Sequence, residues 1–381
     1  MEATRARPTI TELRLSAFTS HRGAAFPLSP MTLFTGASGS GKSTALRAYE
    51  SLARLGAGTP LADVFPDPVA CVPERAVPDA QGRRGFRIGC TVDGPVGPVR
   101  LDLAVQAEPE LRIVGERLTG RGQTLLTTAL RDPGRPTVQA AWHTAGAVPV
   151  TRAPLPDDRL GTALLPLRVG GRTEGESLVL AAAEQTVLAL RSVFVCDPQP
   201  QLMRYPVAAG QGRLRRGCEN LAAVLDRTLD RSRDGCARRR ARLAAAARAG
   251  CAGPVTELAV EQLADGTVRA LLARDASGTR AATPVGRLGE GELRYLALAL
   301  VLLTGPGVLA GDQTPEVPPG LRSLTVLADG FDRSLDRRQA RELLSLASAV
   351  CAEGRITLVG AVGDASCARG AAGVTVVDLD P

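Results

Sequence analysis

The sequence predicts an α/β fold whose central, mixed sheet is assembled from the N- and C-terminal segments of the chain. Predicted strands alternate with predicted helices near both ends, which is the pattern of a sheet covered by helices. Between the ends, residues 86–130 alternate apolar and polar side chains, as antiparallel strands with one buried face do. A helical period then runs over 219–250. We therefore expect an antiparallel β lobe and a short helical insertion beside the sheet.

The first elements surround a glycine-rich turn. A strand, ITELRLSAF, is followed by a turn at 20–23, by a second strand, MTLFT, and then by the glycines. The next segment, TALRAYESLARL, places leucines and a tyrosine at helical spacing. The unit is therefore predicted to be strand, loop, helix.

The middle of the chain is divided by composition. After the β lobe comes a proline-rich stretch, 131–169, then a helix around 178–192 that leads into the apolar strand SVFVC. The helical region 219–250 carries an arginine cluster over 238–242, which is either a solvated helix face or a nucleic-acid contact. We predict a core domain made of 1–60 and 255–381, a β lobe over 61–170 and a helical insertion over 171–254.

The C-terminal segment returns to alternating elements. A hairpin turns at Asp265-Gly266, and the apolar helix ELRYLALALVLL follows. After a Gly/Pro-rich loop at 305–320 come the strand LTVLAD, the helix DRRQARELLSLASAV and the strands ITLVGAV and VTVVDL. These strands complete the sheet that the N-terminal segment begins.

Composition excludes several classes of protein. The longest apolar run, Tyr295 to Leu303, is far short of the ~20 residues that span a bilayer. The N-terminus lacks the apolar core of a signal peptide, so we expect a cytoplasmic protein with no membrane partner. The eight cysteines form no CxxC pair and are expected to be buried reduced thiols. Aromatic residues are 3% of the chain, too few for a single-strand stacking platform.

One motif carries specific chemistry. Residues 36–43 match GxxxxGK[ST] between a predicted strand and a predicted helix, which is the context of a P-loop NTPase. Backbone N–H groups there surround phosphate, Lys42 reaches the β and γ phosphates, and Ser43 holds Mg²⁺. Lys42 is also the only lysine among 46 basic residues, because this site needs a compact charge on a flexible stem. The predicted phosphate-binding residues are Gly36, Ala37, Ser38, Gly39, Ser40, Gly41, Lys42, Ser43 and Thr44.

Three further motifs follow the glycine-rich motif in the chain. Asp329 ends the strand LTVLAD as a Walker B carboxylate that would orient Mg²⁺ together with Ser43. Upstream, Gly289 and Gly291 flank the start of an apolar helix, another helix N-terminus suited to a phosphate. Downstream, Ser334-Leu335-Asp336 precedes the next helix. The order of these motifs is more specific than any one of them.

Together these segments resemble the ABC-type ATPases of the RecF, SMC and OLD group, in particular bacterial stand-alone members. The resemblance covers FPLSPMTLFTGASGSGKSTALRAYE, VFVCDPQPQLMRYP, RLRRGCENLAAVL, the signature LGEGELRYLALAL and LADGFDRSLD. It implies an ABC-type head that binds ATP and Mg²⁺ between the P-loop of one copy and the signature helix of another. By resemblance, Gly289, Gly291 and Glu292 face the partner's γ-phosphate, and Asp336 lies in the D-loop at the dimer seam.

The departures from this family concern hydrolysis. The family's catalytic glutamate follows the Walker B Asp, whereas this chain has Gly330 there, and the next carboxylate is Asp332. No histidine is present near 361–364, where the family has its switch histidine, and Gly289 replaces the usual signature serine. Because a general base must lie within about 3 Å of the attacking water, slow or absent hydrolysis is expected, with Asp332 as the substitute base.

Several readings stay open at the level of sequence. The first is a dimerising ATPase head coupled to a DNA or protein partner in genome maintenance or phage defence. The second is a nucleotide-gated structural switch without hydrolysis, and the third a nucleic-acid-acting factor, in line with the net charge of +7. A metabolic kinase or a transporter subunit would not explain the signature and D-loop segments. Gln199 and Gln201 are candidates for the Q-loop, and Ser20, His21 and Arg22 for the adenine side.

Overall fold

A computed structural model describes residues 7–145, 150–210, 212–229, 236–274, 282–306, 323–364, 366 and 368–380. The chain forms two compact units. In its described residues, the first contains 7–28, 38–193 and 323, and the second contains 29–37, 194–306 and 324–380. The three domains predicted from the sequence stay a prediction.

The first unit is built on an eight-stranded antiparallel sheet in the order β2–β1–β4–β5–β6–β7–β8–β9. Its strands are β1 (Thr9–Phe18), β2 (His21–Pro27), β4 (Arg84–Asp93), β5 (Val99–Glu108), β6 (Arg112–Gly120), β7 (Gln123–Ala129), β8 (Thr137–His143) and β9 (Val150–Pro156). Along β4 and β5, most side chains on one face of the sheet are buried, and those on the other face reach solvent. One face of the sheet therefore packs against the core, and the opposite face is solvent-exposed.

Helices cover the apolar face of this sheet. They are α1 (Lys42–Gly56), α2 (Leu61–Val64), α3 (Gly161–Leu164) and α4 (Glu174–Arg191). In α1, Leu46, Tyr49 and Leu52 recur at three- and four-residue spacing and are buried. Helix α4 starts at the N-cap Thr173, whose hydroxyl accepts a hydrogen bond from the Glu176 N–H.

The second unit contains a five-stranded sheet in the order β10–β15–β16–β3–β17. Its strands are β10 (Val193–Val195), β15 (Leu324–Ala328), β16 (Ile356–Ala361), β3 (Met31–Thr35) and β17 (Thr375–Asp378). The ladders β15–β16, β16–β3 and β17–β3 are parallel. All five residues of β3 and of β15 are buried, as expected for strands covered on both faces. The predicted sheet made from both ends of the chain is therefore confirmed.

Four helices and a small antiparallel sheet complete the described part of the second unit. The helices are α5 (Leu221–Leu229), α6 (Cys236–Gly250), α7 (Glu290–Thr304) and α8 (Arg337–Ala352). The strands are β11 (Val207–Ala208), β12 (Glu257–Gln262), β13 (Thr267–Ala273) and β14 (Thr283–Pro284). Helix α7 is buried on all sides from Leu293 to Leu302, which explains its uninterrupted apolar sequence.

The α/β class, the antiparallel lobe and the main helices are confirmed, and four local predictions need correction. The turn predicted at 20–23 is shorter, because His21 begins β2. That strand and β1 join the antiparallel sheet and do not pair with β3. The proline-rich stretch contains β8, β9 and α3, and the helical region 219–250 contains two helices. The part of the predicted Gly/Pro-rich loop over 307–320 lies outside the described residues.

The cysteine prediction is confirmed where the structure describes it. Cys71, Cys90, Cys196, Cys218, Cys251 and Cys351 are buried free thiols, and burial raises the pKa of Cys90 to about 12. Cys367 and the side chain of Cys236 lie outside the described residues. Within the described helices, none is long and apolar enough to cross a membrane.

Candidate functional site

The predicted phosphate loop passes from one unit to the other. Gly36 and Ala37 belong to the second unit with β3, whereas Ser38 to Thr44 belong to the first unit with α1.

In the first unit, the loop ends at the N-terminus of α1. Gly41 is the residue before α1 and has a left-handed backbone, with φ 99° and ψ 9°. No side chain caps the helix, and its first turn contains no acidic residue. A helix N-terminus without a side-chain cap and without an acidic residue in its first turn is suited to binding phosphate.

His21 packs against this loop at Gly41. Its Nε2 lies 3.0 Å from the Gly41 carbonyl oxygen, and its ring packs edge-on against Phe26 with centroids 5.4 Å apart. A Cβ at Gly41 would lie 2.5 Å from His21 Nε2 and 3.1 Å from Ser20 Oγ. Gly41 is thus required both by its backbone angle and by the closeness of His21. Ser20 and His21 lie beside the phosphate loop, and Arg22 is exposed; their place on the adenine side stays a prediction.

The loop also has a polar atom with no protein partner. Within the described residues, the Ser40 Oγ is buried and makes no hydrogen bond. A buried hydroxyl of this kind is costly unless a ligand or water satisfies it. This hydroxyl, the left-handed Gly41 and the absence of a side-chain cap on α1 fit a bound phosphate chain, with Lys42 and Ser43 as the residues that would hold the triphosphate and Mg²⁺.

In the second unit, the loop starts at one edge of the parallel sheet. The register places Ala328 beside Gly360 and Ala361 beside Phe34. The carboxyl ends of β15, β16 and β3 therefore meet at the same edge. Asp329 follows the first of these ends and Gly36 the third, with one strand between them. This is the crevice position at which open α/β sheets bind ligands.

The C-terminal segment also reaches this edge. Strand β17 pairs with β3, and the Leu379 N–H donates to the Thr35 carbonyl. The next residue, Asp380, accepts a hydrogen bond at 2.6 Å from the Ala37 N–H in the phosphate loop. A carboxylate at this point fixes the start of the loop.

The residue after Asp329 has unusual surroundings. Gly330 has a left-handed φ of 65°, and a Cβ on it would lie 2.8 Å from Arg333 Nε and 3.0 Å from its Nη2. The guanidinium of Arg333 therefore stands where a side chain at position 330 would begin. Within the described residues, Arg333 has no hydrogen-bond or ion-pair partner for that guanidinium.

A second arginine is buried behind this turn. Arg294, in α7, is 3% exposed and donates to the Pro198 carbonyl at 2.6 Å and to the Gly330 carbonyl at 3.4 Å. Burial lowers the pKa of its guanidinium, and the charge of Arg333 lowers it further. Arg294 thus connects the signature helix to the turn after Asp329 and to the loop after β10.

Asp332 binds the loop after β16. Its carboxylate accepts hydrogen bonds from the Gly363 N–H at 3.0 Å and from the Asp364 N–H at 2.9 Å. Hydrogen bonds from Ser366 lower the pKa of Asp364 itself. The residue predicted to act as a base is therefore engaged by backbone donors at the position where the resembled family has its switch histidine. Its role as a base stays a prediction.

The signature segment packs against the predicted D-loop. A Cβ at Gly291 would lie 2.4 Å from the Ser334 carbonyl oxygen, and the Ser334 hydroxyl bonds Glu290 at 3.0 Å. Glu292 caps its own helix by accepting from the Gly289 N–H at 3.0 Å, and it also accepts from the Ala252 N–H. Asp336 caps α8 by accepting from the Gln339 N–H at 2.7 Å.

The structure brings the predicted residues together in two groups, one in each unit. Ser38 to Thr44 lie at the start of α1, whereas Asp329, Asp332, Gly291 and Asp336 surround the edge of the parallel sheet and the start of α7. Sequence reasoning missed Arg294, Arg333 and Asp380, because no motif marks them. The Q-loop candidates Gln199 and Gln201 bond each other at 3.0 Å, and Gln199 bonds Asp197.

No family model matches the sequence, and no curated protein does. Among solved structures, the chain is similar to an SMC head bound to the C-terminal winged-helix domain of ScpA. That pair has 14% identity, a TM-score of 0.48, and coverage of 93% of this chain and 90% of the other.

Two further solved structures are similar to the chain. An Smc head with an extended coiled coil from Pyrococcus furiosus, bound to the C-terminal domain of ScpA, gives 9% identity, a TM-score of 0.49, and coverage of 96% and 92%. An SMC head from Thermotoga maritima gives 11% identity, a TM-score of 0.44, and coverage of 96% and 92%. These scores are too low to support a conclusion about activity or partners.

Proposed function

We propose that this chain is an ATP-binding ABC-type head of the RecF/SMC-like class that dimerises on ATP and hydrolyses it slowly or not at all. The observation that carries the proposal is the phosphate loop. Its only lysine stands at an uncapped helix N-terminus, after a left-handed glycine that has no room for a side chain. The other motifs of the class follow it in the expected order.

One set of residues would bind the nucleotide and Mg²⁺, and another would form the dimer. The N–H groups at the start of α1, with Lys42, would neutralise the phosphates, and Ser43 and Asp329 would orient Mg²⁺. Bound Mg²⁺ supplies charge neutralisation on the phosphates. Gly289 and Gly291, at the start of α7, would face the phosphates of the second copy in a sandwich dimer. That dimer would couple nucleotide state to a DNA or protein partner.

A non-hydrolysing switch is the second candidate, and Gly330 favours it. The carboxylate that would activate water is missing there, and Arg333 fills the space beside it. In this second candidate, ATP binding closes the dimer and ATP dissociation opens it, and ATP is not hydrolysed. The two candidates share ATP binding and differ only in phosphate release.

ATP binding is tested first, by calorimetric titration of the full chain with ATP and Mg²⁺. We expect saturable binding that Lys42→Ala reduces by at least about tenfold, because one charge-assisted contact is worth roughly 1.5–3 kcal/mol. Lys42→Arg is the matched variant that keeps the charge but not the compact ammonium. Absence of binding by the unaltered chain would end the proposal.

A further inference from the structure

The turn after Asp329 carries an arginine, Arg333, whose charge has no partner among the described residues. Arg333 is exposed, and its guanidinium makes neither a hydrogen bond nor an ion pair there. Its backbone N–H donates to the Gly330 carbonyl at 3.0 Å, which closes the turn. The Arg333 Nε and Nη2 lie 2.8 and 3.0 Å from the point where a Cβ on Gly330 would stand. The guanidinium therefore lies directly beside Gly330 without being paired.

A second guanidinium lies behind this turn, and one of its donors is also unsatisfied. Arg294 is 3% exposed and donates to the Pro198 and Gly330 carbonyls, but its buried Nε has no hydrogen bond in the described part of the chain. Burial lowers the pKa of Arg294, and the charge of Arg333 is the next largest cause, so the two guanidinium groups lie near each other. Neighbouring cations repel, and a buried donor without an acceptor is costly. The turn is therefore a favourable place for an anion.

The carboxylates around the turn have other partners. Asp332 accepts from two backbone N–H groups of the loop after β16. Glu290 accepts from the Ser334 hydroxyl at 3.0 Å, and Asp197 accepts from a glutamine side chain at 3.0 Å. Of the described carboxylates, none forms an ion pair with Arg333. The positive charge of the turn is therefore left for a ligand.

The arginines of α6, in the same unit, behave differently. Arg240 pairs with Glu257 and Arg242 with Glu353, each at 3.1 Å. These ion pairs favour the solvated-face interpretation of 238–242. The arginine in the turn after β15 stays unpaired, although an aspartate directly precedes it in the chain.

The position of Arg333 in the fold indicates which anion this is. Asp329, which begins the turn, is the carboxylate that would orient Mg²⁺, and Mg²⁺ in nucleotide sites bridges the β- and γ-phosphate oxygens. A cation in the same turn is therefore suited to the terminal phosphate. A guanidinium presents its N–H donors in a planar fork that matches two phosphate oxygens at once. Because ADP has no γ-phosphate, such a contact would distinguish the two nucleotides.

We propose that Arg333 binds the γ-phosphate of ATP and makes the site select ATP over ADP. Gly330 permits this contact, because a side chain at that position would crowd the guanidinium. With a cation in place of a general base, the turn would hold the terminal phosphate and would not activate water. The contact deepens the proposed function by assigning the residue that recognises ATP, and it rests on that function for the presence of the nucleotide.

The test compares the affinities of the full chain for ribose-labelled fluorescent ATP and ADP, each with Mg²⁺, by anisotropy. The protein is kept at concentrations where light scattering gives the mass of a single chain, so that dimerisation does not contribute to the affinity. The variants are Arg333→Ala and Arg333→Lys. The matched control, Arg341→Ala, removes the same charge from an exposed position on α8.

We expect Arg333→Ala to weaken ATP binding by at least about tenfold and ADP binding by less than about twofold, because the lost charge-assisted contact exists only with ATP. Arg333→Lys should fall between the two, since it keeps the charge but loses the fork. Arg341→Ala should change neither affinity by more than about twofold.

A second measurement distinguishes the γ-phosphate from free phosphate. Inorganic phosphate is added to the unaltered chain and to Arg333→Ala, both in saturating ATP and Mg²⁺, and the melting temperatures are recorded. We expect phosphate to shift both proteins equally, because the nucleotide already occupies the contact. A stabilisation by phosphate that Arg333→Ala removes would indicate a separate anion at Arg333 and would overturn the proposal.

Equal losses of ATP and ADP affinity in Arg333→Ala would also overturn it, because they would show a general effect of charge. The same holds for an ATP affinity that Arg333→Ala leaves unchanged or that Arg341→Ala lowers as much. If the unaltered chain binds no ATP, the proposed function fails and the Arg333 contact fails with it. If the chain binds ATP with an affinity independent of Arg333, only the contact is refuted.

Discussion

Gly330 stands where the resembled family has its catalytic glutamate. Its left-handed φ of 65° disfavours any side chain, and the Arg333 guanidinium would have to move aside for the glutamate of the resembled family. Asp332 is close in sequence, but its carboxylate is bonded to the Gly363 and Asp364 N–H groups. With a glycine in place of the glutamate and Asp332 held by backbone donors, we expect ATP to be bound and hydrolysed slowly or not at all.

We therefore expect that Gly330→Glu alone does not create an ATPase. A left-handed backbone costs a residue with a side chain about 1–2 kcal/mol, and the Arg333 contact adds to this. Melting temperature should fall, and phosphate release should stay at the unaltered rate. Gly330→Ala measures the backbone cost separately, and Gly330→Glu/Arg333→Ala removes the obstruction. Fast phosphate release by Gly330→Glu alone would contradict this prediction.

His21 and Gly41 make a second residue-scale prediction. Gly39 and Gly41 both have left-handed backbones, but a Cβ at Gly39 would meet nothing within 4 Å. Gly39→Ala should therefore cost only the backbone penalty of about 1–2 kcal/mol, whereas Gly41→Ala should also displace His21 and weaken ATP binding more.

A double-variant cycle checks the prediction on the loop. If His21 is the obstacle, His21→Ala/Gly41→Ala should bind ATP better than Gly41→Ala, although less well than the unaltered chain. Calorimetric ATP titrations give the four affinities, and additive losses would show that the two residues act independently.

At the scale of elements, the contact between α7 and the turn before α8 joins the signature segment to the D-loop. The apolar run of α7 and the Asp336 cap of α8 could be predicted from local sequence. The approach of Gly291 to the Ser334 carbonyl could not, because the two residues are distant in sequence and no periodicity encodes their contact. The buried position of Arg294 and its two carbonyl partners could not be predicted either, because nothing in the sequence distinguishes it from the other arginines.

Gly291→Ala tests this contact. In an isolated helix the change would gain about 1 kcal/mol from propensity, but here a Cβ would lie 2.4 Å from a backbone oxygen. We expect the contact to dominate and the free energy of unfolding to fall. Gly289→Ala is the matched control, since its Cβ would be 3.6 Å from Glu292 Oε2, and it should cost no more than about 1 kcal/mol. Equal denaturant midpoints for the two variants would contradict the proposed packing.

At the scale of the whole molecule, the sequence indicates the sheet made from both ends because β3 and β15 to β17 are short, apolar and bounded by turn residues. The partners of β1 and β2 were harder to predict. Their alternation fits any antiparallel neighbour, and pairing with β4 depends on a core that forms between distant segments. The phosphate loop was predicted residue by residue, because its chemistry is local. Its supports, His21 and Asp380, come from other strands.

The central claim is that ATP brings two copies of this chain together and is hydrolysed slowly or not at all. Light scattering on the full chain with ATP and Mg²⁺, with ADP, and without nucleotide, run beside a phosphate-release assay, tests it directly. We predict a doubling of mass with ATP only, its loss in Lys42→Ala, and phosphate release slower than dimer dissociation. A light-scattering mass that stays at that of a single chain in saturating ATP and Mg²⁺ would contradict this claim.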